Sequence, residues 1–348
     1  MRHRIIAPAL VSLLLVMAAC GDDGGTGGEN SAGAGAGSDT VTIYSGRTEN
    51  LIDPILDDFT AETGIEVEVR YGQSADLALL IEEEAAAGQV RADVFLSQSP
   101  GSIGLLEASG RLAPLPDDVL ALVPENVRDS DGRWIGFSGR QRVMVYHPEL
   151  VAETELPASV FDLTDPAWKG RVGIAPSNGS FQDFVTTMRA TEGDEATAQW
   201  LEAMVANDVV SYANNNAIVA AVARGEIDAG LVNHYYNHQF LAEDPSHPAR
   251  NHQLASDDPG ATLITTGAAI PDGAANPGGA AELITFLLGE RGQRYFADQT
   301  FEYPLATGMA PSGEVPPIDF ADADIDVAAL GGGLTATRDL IIGAGLEG

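Results

Sequence analysis

Three short apolar segments separated by two amphipathic ones, all within residues 41–97, restrict the fold more than any other feature of this chain. "VTIYSG" (41–46) has strand character and breaks at Gly46. "ENLIDPILDDFTAETG" (49–64) sets Leu51, Ile55, Leu56 and Phe59 on one helical stripe and places Gly64 as a C-terminal cap. "IEVEVRYG" (65–72) alternates strictly by two, the pattern of a half-buried strand. A helix over 74–88 follows, with Ser74 at its N-cap, then the strand "ADVFLS" (92–97) and a helix in "GSIGLLEASG". Successive β-α-β units predict parallel strands with helices on both faces. Such sheets hold ligands in the crevice at the carboxyl ends of their strands. The tips at residues 45–48 and 97–99 are therefore candidate edges of a site.

The rhythm returns in the middle of the chain. Strand patterns occupy 142–147, 171–176 and 227–233. Residues 181–206 read as helical, with Trp200, Leu201 and Met204 on one stripe, and 216–226 as a helix ended by Gly225. "ATLITTGAAIP" (261–271) returns to strand character, and a helix pair follows. A second α/β lobe over roughly 140–262 is expected, and no internal repeat stands out.

The N-terminus directs the chain out of the cytoplasm. A basic "MRHR" precedes the apolar run "IIAPALVSLLLVMAA", which is too short to span a bilayer comfortably and ends in small residues before Cys20, the sole cysteine. The signal resembles that of a bacterial lipoprotein. Residues 1–19 would be removed, Cys20 lipidated, and the Gly/Ser-rich stretch to residue 39 left as a flexible tether. With no second cysteine, an intramolecular disulfide and a thiolate metal site are both excluded. A formal charge of −33 repels nucleic acid and anionic lipid, so membrane contact is expected only through the anchor.

No catalytic signature is present: there is no G-x-S-x-G, H-E-x-x-H or Walker loop. A secreted hydrolase would need a base oriented toward its nucleophile, and no His–carboxylate set offers one. The chemistry-bearing stretch is instead "VNHYYNHQF" (232–240), where Tyr235 and Tyr236 are adjacent at the tip of an apolar strand. On a continuing strand the two would face opposite sides; if the backbone turns, both can face one crevice. Phenolate is a hard oxygen donor suited to a highly charged cation, which also removes its proton. From spacing alone, a structural Tyr pair and a metal-binding pair both stand.

Over nearly all of residues 40–348 the chain resembles the bacterial ferric-ion-binding receptors of iron ABC importers. The resemblance rests, in order, on "VTIYSGR", "TGIEVEV", "ADVFLSQ", "GFSGRQRVMVYHP", "DPAWKGRVGIAPSNGSF", "ANNNAIVAAVARGEIDAGLVNHYYNHQF" and "EYPL". It implies an α/β, two-lobed type II periplasmic-binding-protein fold whose hinged lobes close on Fe³⁺. The expected lobes are residues 40–138 with about 263–315, and 139–262 with about 316–348. It implies metal ligation by Tyr235 and Tyr236, with the shell completed by phosphate or carbonate at Asn178, Gly179, Ser180, Asn215 and Asn233, and with Arg140 nearby. The "SNGS" turn opens a helix, whose free N–H groups suit an anion. An ordinary ion pair is the plainer reading of Arg140. The receptor is expected to act as a monomer and to deliver its cargo to a membrane permease without catalysing a reaction.

The chain departs from the family pattern on the opposite wall. Familiar members carry a His and a Glu where this sequence has Thr48 and Gln98, and others carry a Tyr where it has Phe181. Thr48, Glu49 and Gln98 are left as weak or outlying metal positions, and Tyr212 is expected to pack rather than ligate. Iron retention should then lean on the anion. The rival reading keeps the fold and replaces iron with an oxyanion, an organic phosphate or a phosphonate.

Overall fold

The strand β1 (Thr40–Ser45) runs parallel to both β2 (Glu66–Tyr71) and β3 (Val94–Ser97), with α1 (Glu49–Thr63) and α2 (Ser74–Ala86) as the crossovers. The computed structural model describes residues 40–318 and 333–346. The expected signal segment, Cys20, the tether and part of the 316–348 segment lie outside the described residues. Helix α1 contains Pro54, which removes one helical hydrogen bond at a cost of about 3 kcal/mol. The helix nevertheless buries Leu51, Ile52, Ile55, Leu56 and Phe59, each contributing on the order of 2 kcal/mol, so packing wins. Gly64 ends the helix in the left-handed region at φ 76° and donates its N–H to Thr60 O.

After α3 (Pro100–Ala108) and the short α4 (Asp117–Leu120), the strand β4 (Trp134–Tyr146) is buried along all 13 residues. Beyond it come β5 (Val172–Ile174), α5 (Gly179–Glu192), α6 (Asp194–Ala206), β6 (Val210–Ser211), α7 (Asn215–Ala223), β7 (Ala229–Asn233) and α8 (His234–Glu243). Then follow β8 (Arg250–His252), β9 (Leu263–Ala269), α9 (Pro277–Leu288), α10 (Glu290–Asp298), β10 (Tyr303–Pro304) and a terminal helix, Leu334–Gly343. The strand order is β2-β1-β3-β9-β4-β7-β5-β6, with β8 and β10 also pairing with β4. The β-α-β strands are parallel, and antiparallel pairing enters where β9 and β4 join the two halves. Strand β4 belongs to both: residues 134–141 pair with β9, and residues 142–146 with β7.

Each half is covered on both faces, as the helical crossovers require. In the first half Ile43 and Leu96 face α1 and α9, while Tyr44 and Phe95 face α2 and α3. In the second, Ile174 and Leu231 face α5 and α6, while Val143 and Val232 face α7. The helix expected over 181–206 is two helices. Gly193 at φ 87°, ψ 162° leaves helical geometry, and α6 folds back so that Phe184 meets Trp200 edge to face at 5.6 Å. Among the described residues no helix is long and apolar enough to cross a membrane.

Candidate metal and anion site

Strand β7 passes into α8 with no intervening loop: Asn233 is extended at φ −81°, ψ 144°, and the helix begins at His234. Successive helical residues are about 100° apart rather than opposed. Tyr235 and Tyr236 therefore lean to one side, their ring centroids 4.2 Å apart and their planes 30° apart. Tyr235 is 1 % exposed and Tyr236 half-buried. Burial, then the neighbouring Tyr236, pushes the Tyr235 phenol well above its ordinary pKa, while Arg140 opposes the shift. Such a phenol stays protonated until a multiply charged cation displaces the proton.

His234 is occupied elsewhere. Its Nδ1 accepts from the Gln141 N–H at 3.1 Å, which leaves Nε2 to donate to Phe301 O at 2.7 Å. Burial, followed by repulsion from His238, lowers its pKa to about 3, so it is a neutral strut under the phenols. His238 stacks on Phe301 at 5.9 Å, and burial lowers its pKa too.

Beside the phenols the expected anion residues form one network. Asn178 caps α5, its Oδ1 accepting from the Ser180 N–H at 3.1 Å and from Ser180 Oγ at 2.6 Å. Asn215 Nδ2 donates to Asn178 Oδ1 at 3.2 Å and to Ser180 Oγ at 3.3 Å. Gly179 is exposed, and a Cβ there would meet nothing within 4 Å. At the base lies Arg142, a residue missed in the sequence. Its Nη1 donates to Asn233 Oδ1 at 3.1 Å, Ser180 Oγ at 3.3 Å and Asn215 Oδ1 at 3.4 Å, and its Nη2 to Leu231 O at 3.0 Å. All four acceptors are neutral. Burial lowers the Arg142 pKa to about 9, with Tyr236 the largest opposing influence. Asp183 is the carboxylate that acts on it through space, but no carboxylate accepts its hydrogen bonds, and a buried cation so placed is stabilised by an added anion.

Arg140, two residues away, is committed differently. Its Nη1 donates to Thr266 Oγ1 at 2.8 Å, its Nη2 donates to the Gln98 carbonyl, and Nη2 lies 3.9 Å from Asp183 Oδ2. Among the described residues no hydrogen bond joins it to Asn178, Ser180, Asn215 or Asn233. Asp183, on α5, is 3 % exposed; burial pushes its carboxyl up to about 6, while Arg140, Ser99 and Arg142 favour the ion.

The residues expected on the opposite wall offer few donors. Thr48 and Glu49 are exposed at the start of α1, and Thr48 Oγ1 donates to Asn50 Oδ1 at 2.6 Å. Gln98 is half-buried; its N–H donates to Ser74 Oγ at 3.1 Å, and Nε2 has no partner. Gly46 is required where β1 and β3 end: a Cβ there would sit 1.9 Å from Ser74 Oγ. Arg47, fully buried, is neutralised by Glu302 at 2.6 Å and also donates to Ser138 Oγ and Leu51 O. That pair anchors the loop carrying Thr48. Phe181 is buried against Phe184, and the Tyr212 ring packs where a side chain on Gly173 would fall. Among the described residues no three His, Cys, Asp or Glu side chains gather as a metal cluster.

Residues 91–320 match the model of the bacterial extracellular solute-binding protein family. The chain is 33 % identical over 303 residues to the Fe(3+)-binding periplasmic protein of Serratia marcescens, covering 86 % of this chain and 89 % of that one. It is 32 % identical over 285 residues to the major ferric iron-binding protein of Neisseria meningitidis, covering 80 % and 84 %. Among solved structures, iron-bound HitA from Pseudomonas aeruginosa superposes with a TM-score of 0.81 at 34 % identity, covering 88 % of this chain and 99 % of that one. The fold is the two-lobed α/β type II periplasmic-binding-protein fold. The chain belongs to the bacterial extracellular solute-binding proteins, and is a binding protein rather than an enzyme.

Proposed function

We propose that this protein is an extracytoplasmic receptor for ferric ion, which it binds through the phenolates of Tyr235 and Tyr236 together with a small oxyanion. The observation that carries this reading is the pair itself: two phenols brought to one side by the β7–α8 junction, next to a buried guanidinium whose hydrogen bonds go only to neutral oxygens. Two phenolates leave a ferric ion with one uncompensated charge, and Arg142 adds another. Phosphate or carbonate, accepting from Arg142 and at the N-terminus of α5 in place of part of the Asn178 cap, offsets both. The names of the Serratia, Neisseria and Pseudomonas relatives support iron as the cargo. The receptor is anchored through a lipid on Cys20 at the outer face of the membrane, acts as a monomer, and passes iron to the permease of an ABC importer.

Adding Fe³⁺ with phosphate to the purified chain is expected to produce a visible phenolate-to-iron charge-transfer band. Tyr235→Phe and Tyr236→Phe should each weaken and shift the band, and the double variant should abolish it. Colour that survives the double variant contradicts the ligand assignment. Phosphate binding with no colour on adding iron would favour the oxyanion receptor instead.

A further inference from the structure

Ser99 and Asp183 lie 84 residues apart in sequence and belong to opposite halves of the molecule. Ser99 occupies the N-cap position of α3, just beyond the tip of β3, while Asp183 lies one turn into α5. Ser99 Oγ nevertheless donates to Asp183 Oδ1 at 2.7 Å. The Ser99 turn is braced from within: Ser97 Oγ donates to Ser99 O at 2.8 Å, and the Ser99 N–H donates to Ser97 Oγ at 3.2 Å. That leaves the Ser99 hydroxyl free to reach across. The second carboxylate oxygen of Asp183 accepts no hydrogen bond and faces Arg140 Nη2 at 3.9 Å. Arg140 itself holds the Gln98 carbonyl, the residue before Ser99. One buried carboxylate thus meets the β3 tip twice, directly and through Arg140. Three residues earlier on the same helix, Ser180 belongs to the anion network.

We propose that Asp183 is a closure latch: a positioning residue that ties α5, with its anion-binding start, to the tip of β3 and so holds the crevice shut over bound metal. The latch acts without touching the cargo. A buried carboxylate is stable only while hydrogen-bonded or paired, so parting Ser99 and Arg140 from it requires water to enter, which happens when the halves separate. One side-chain hydrogen bond and a loose ion pair make a contact that can be broken again for release, unlike the tight, fully buried Arg47–Glu302 pair. An anion at Ser180 fixes the start of α5 and thereby presents Asp183 to Ser99, which couples cargo capture to closure.

The role is tested on the full chain with Asp183→Asn, Ser99→Ala and the double variant. The readout is the rate at which the charge-transfer colour is lost to a competing chelator. Each single variant is expected to release iron about 10-fold faster with the band position unchanged, and the double variant no faster than the quicker single one, because both remove the same contact. Wild-type release rates in Ser99→Ala and Asp183→Asn, or effects that multiply in the double variant, would overturn the latch. A shifted band in Asp183→Asn with Ser99→Ala silent would overturn it too, by making Asp183 a ligand. The inference uses the ferric reading for its colour readout, so small-angle scattering in phosphate without iron, where the anion closes the parent, provides a metal-free arm. Both single variants should be more expanded than the parent, and equal radii of gyration would refute the latch even if iron proved not to be the cargo.

Discussion

The two walls of the crevice are built on different principles. The wall from the second half, carrying Arg142, Asn178, Ser180, Asn215, Asn233 and the tyrosine pair, is hydrogen-bonded in advance: its cradle residues hold one another, and Tyr235 is buried in place. The facing wall offers Thr48 and Glu49 in solvent and Gln98 with an unpartnered amide nitrogen. Its strongest interactions, Arg47–Glu302 and the Ser99–Asp183–Arg140 group, tie side chains and backbone together rather than present free donors, and the second is the proposed latch. The contrast teaches that recognition and closure are divided between the halves. In the proposed receptor, one half would choose the cargo and the other would shut over it.

After loss of the phenols themselves, the largest effect should come from Arg142→Gln. Removing one member of a buried, hydrogen-bonded charge pair costs several kcal/mol, so the anion-dependent gain in iron affinity should fall on the order of 100-fold. The variant is expected to melt no lower than the parent when anion is absent, because burial outweighs the groups that favour the Arg142 cation, Asp183 among them, and so costs folding energy. A lower melting temperature with undiminished anion dependence would make Arg142 a structural residue and erase the difference between the walls. A smaller effect is expected from adding charge to the sparse wall. Gln98→Glu should raise iron affinity about 10-fold and reduce the need for anion, by placing a carboxylate opposite the tyrosines. An unchanged iron titration would mean that position 98 does not face the metal.

The sequence carried the α/β architecture and, Arg142 apart, the residues of the pre-formed wall, because these lie in continuous motifs where strand or helix period predicts direction. The convergence of Tyr235 and Tyr236 required only that the strand end, although a helix starting at once in His234 was not foreseeable from "VNHYYNHQF". Arg142 was hidden by register. Arg140 and Arg142 share one face of β4, but Arg140 pairs with Ile264 of β9 whereas Arg142 pairs with Asn233 of β7, and only that crossing decides which guanidinium enters the anion network. The Ser99–Asp183 contact depends on how two halves meet, which no local pattern encodes. The break at Gly193 had its signal in the glycine, but helical apolar spacing continued on both sides and concealed it.

An anion is expected to do what the sparse wall does not. The most direct test is iron affinity, measured by competition with a chelator in buffer freed of phosphate and carbonate and again with each restored. Tight binding that requires the anion and weakens sharply without it is the predicted result. Equally tight binding with and without anion would contradict the account, and would mean that the chain supplies ligands beyond Tyr235 and Tyr236.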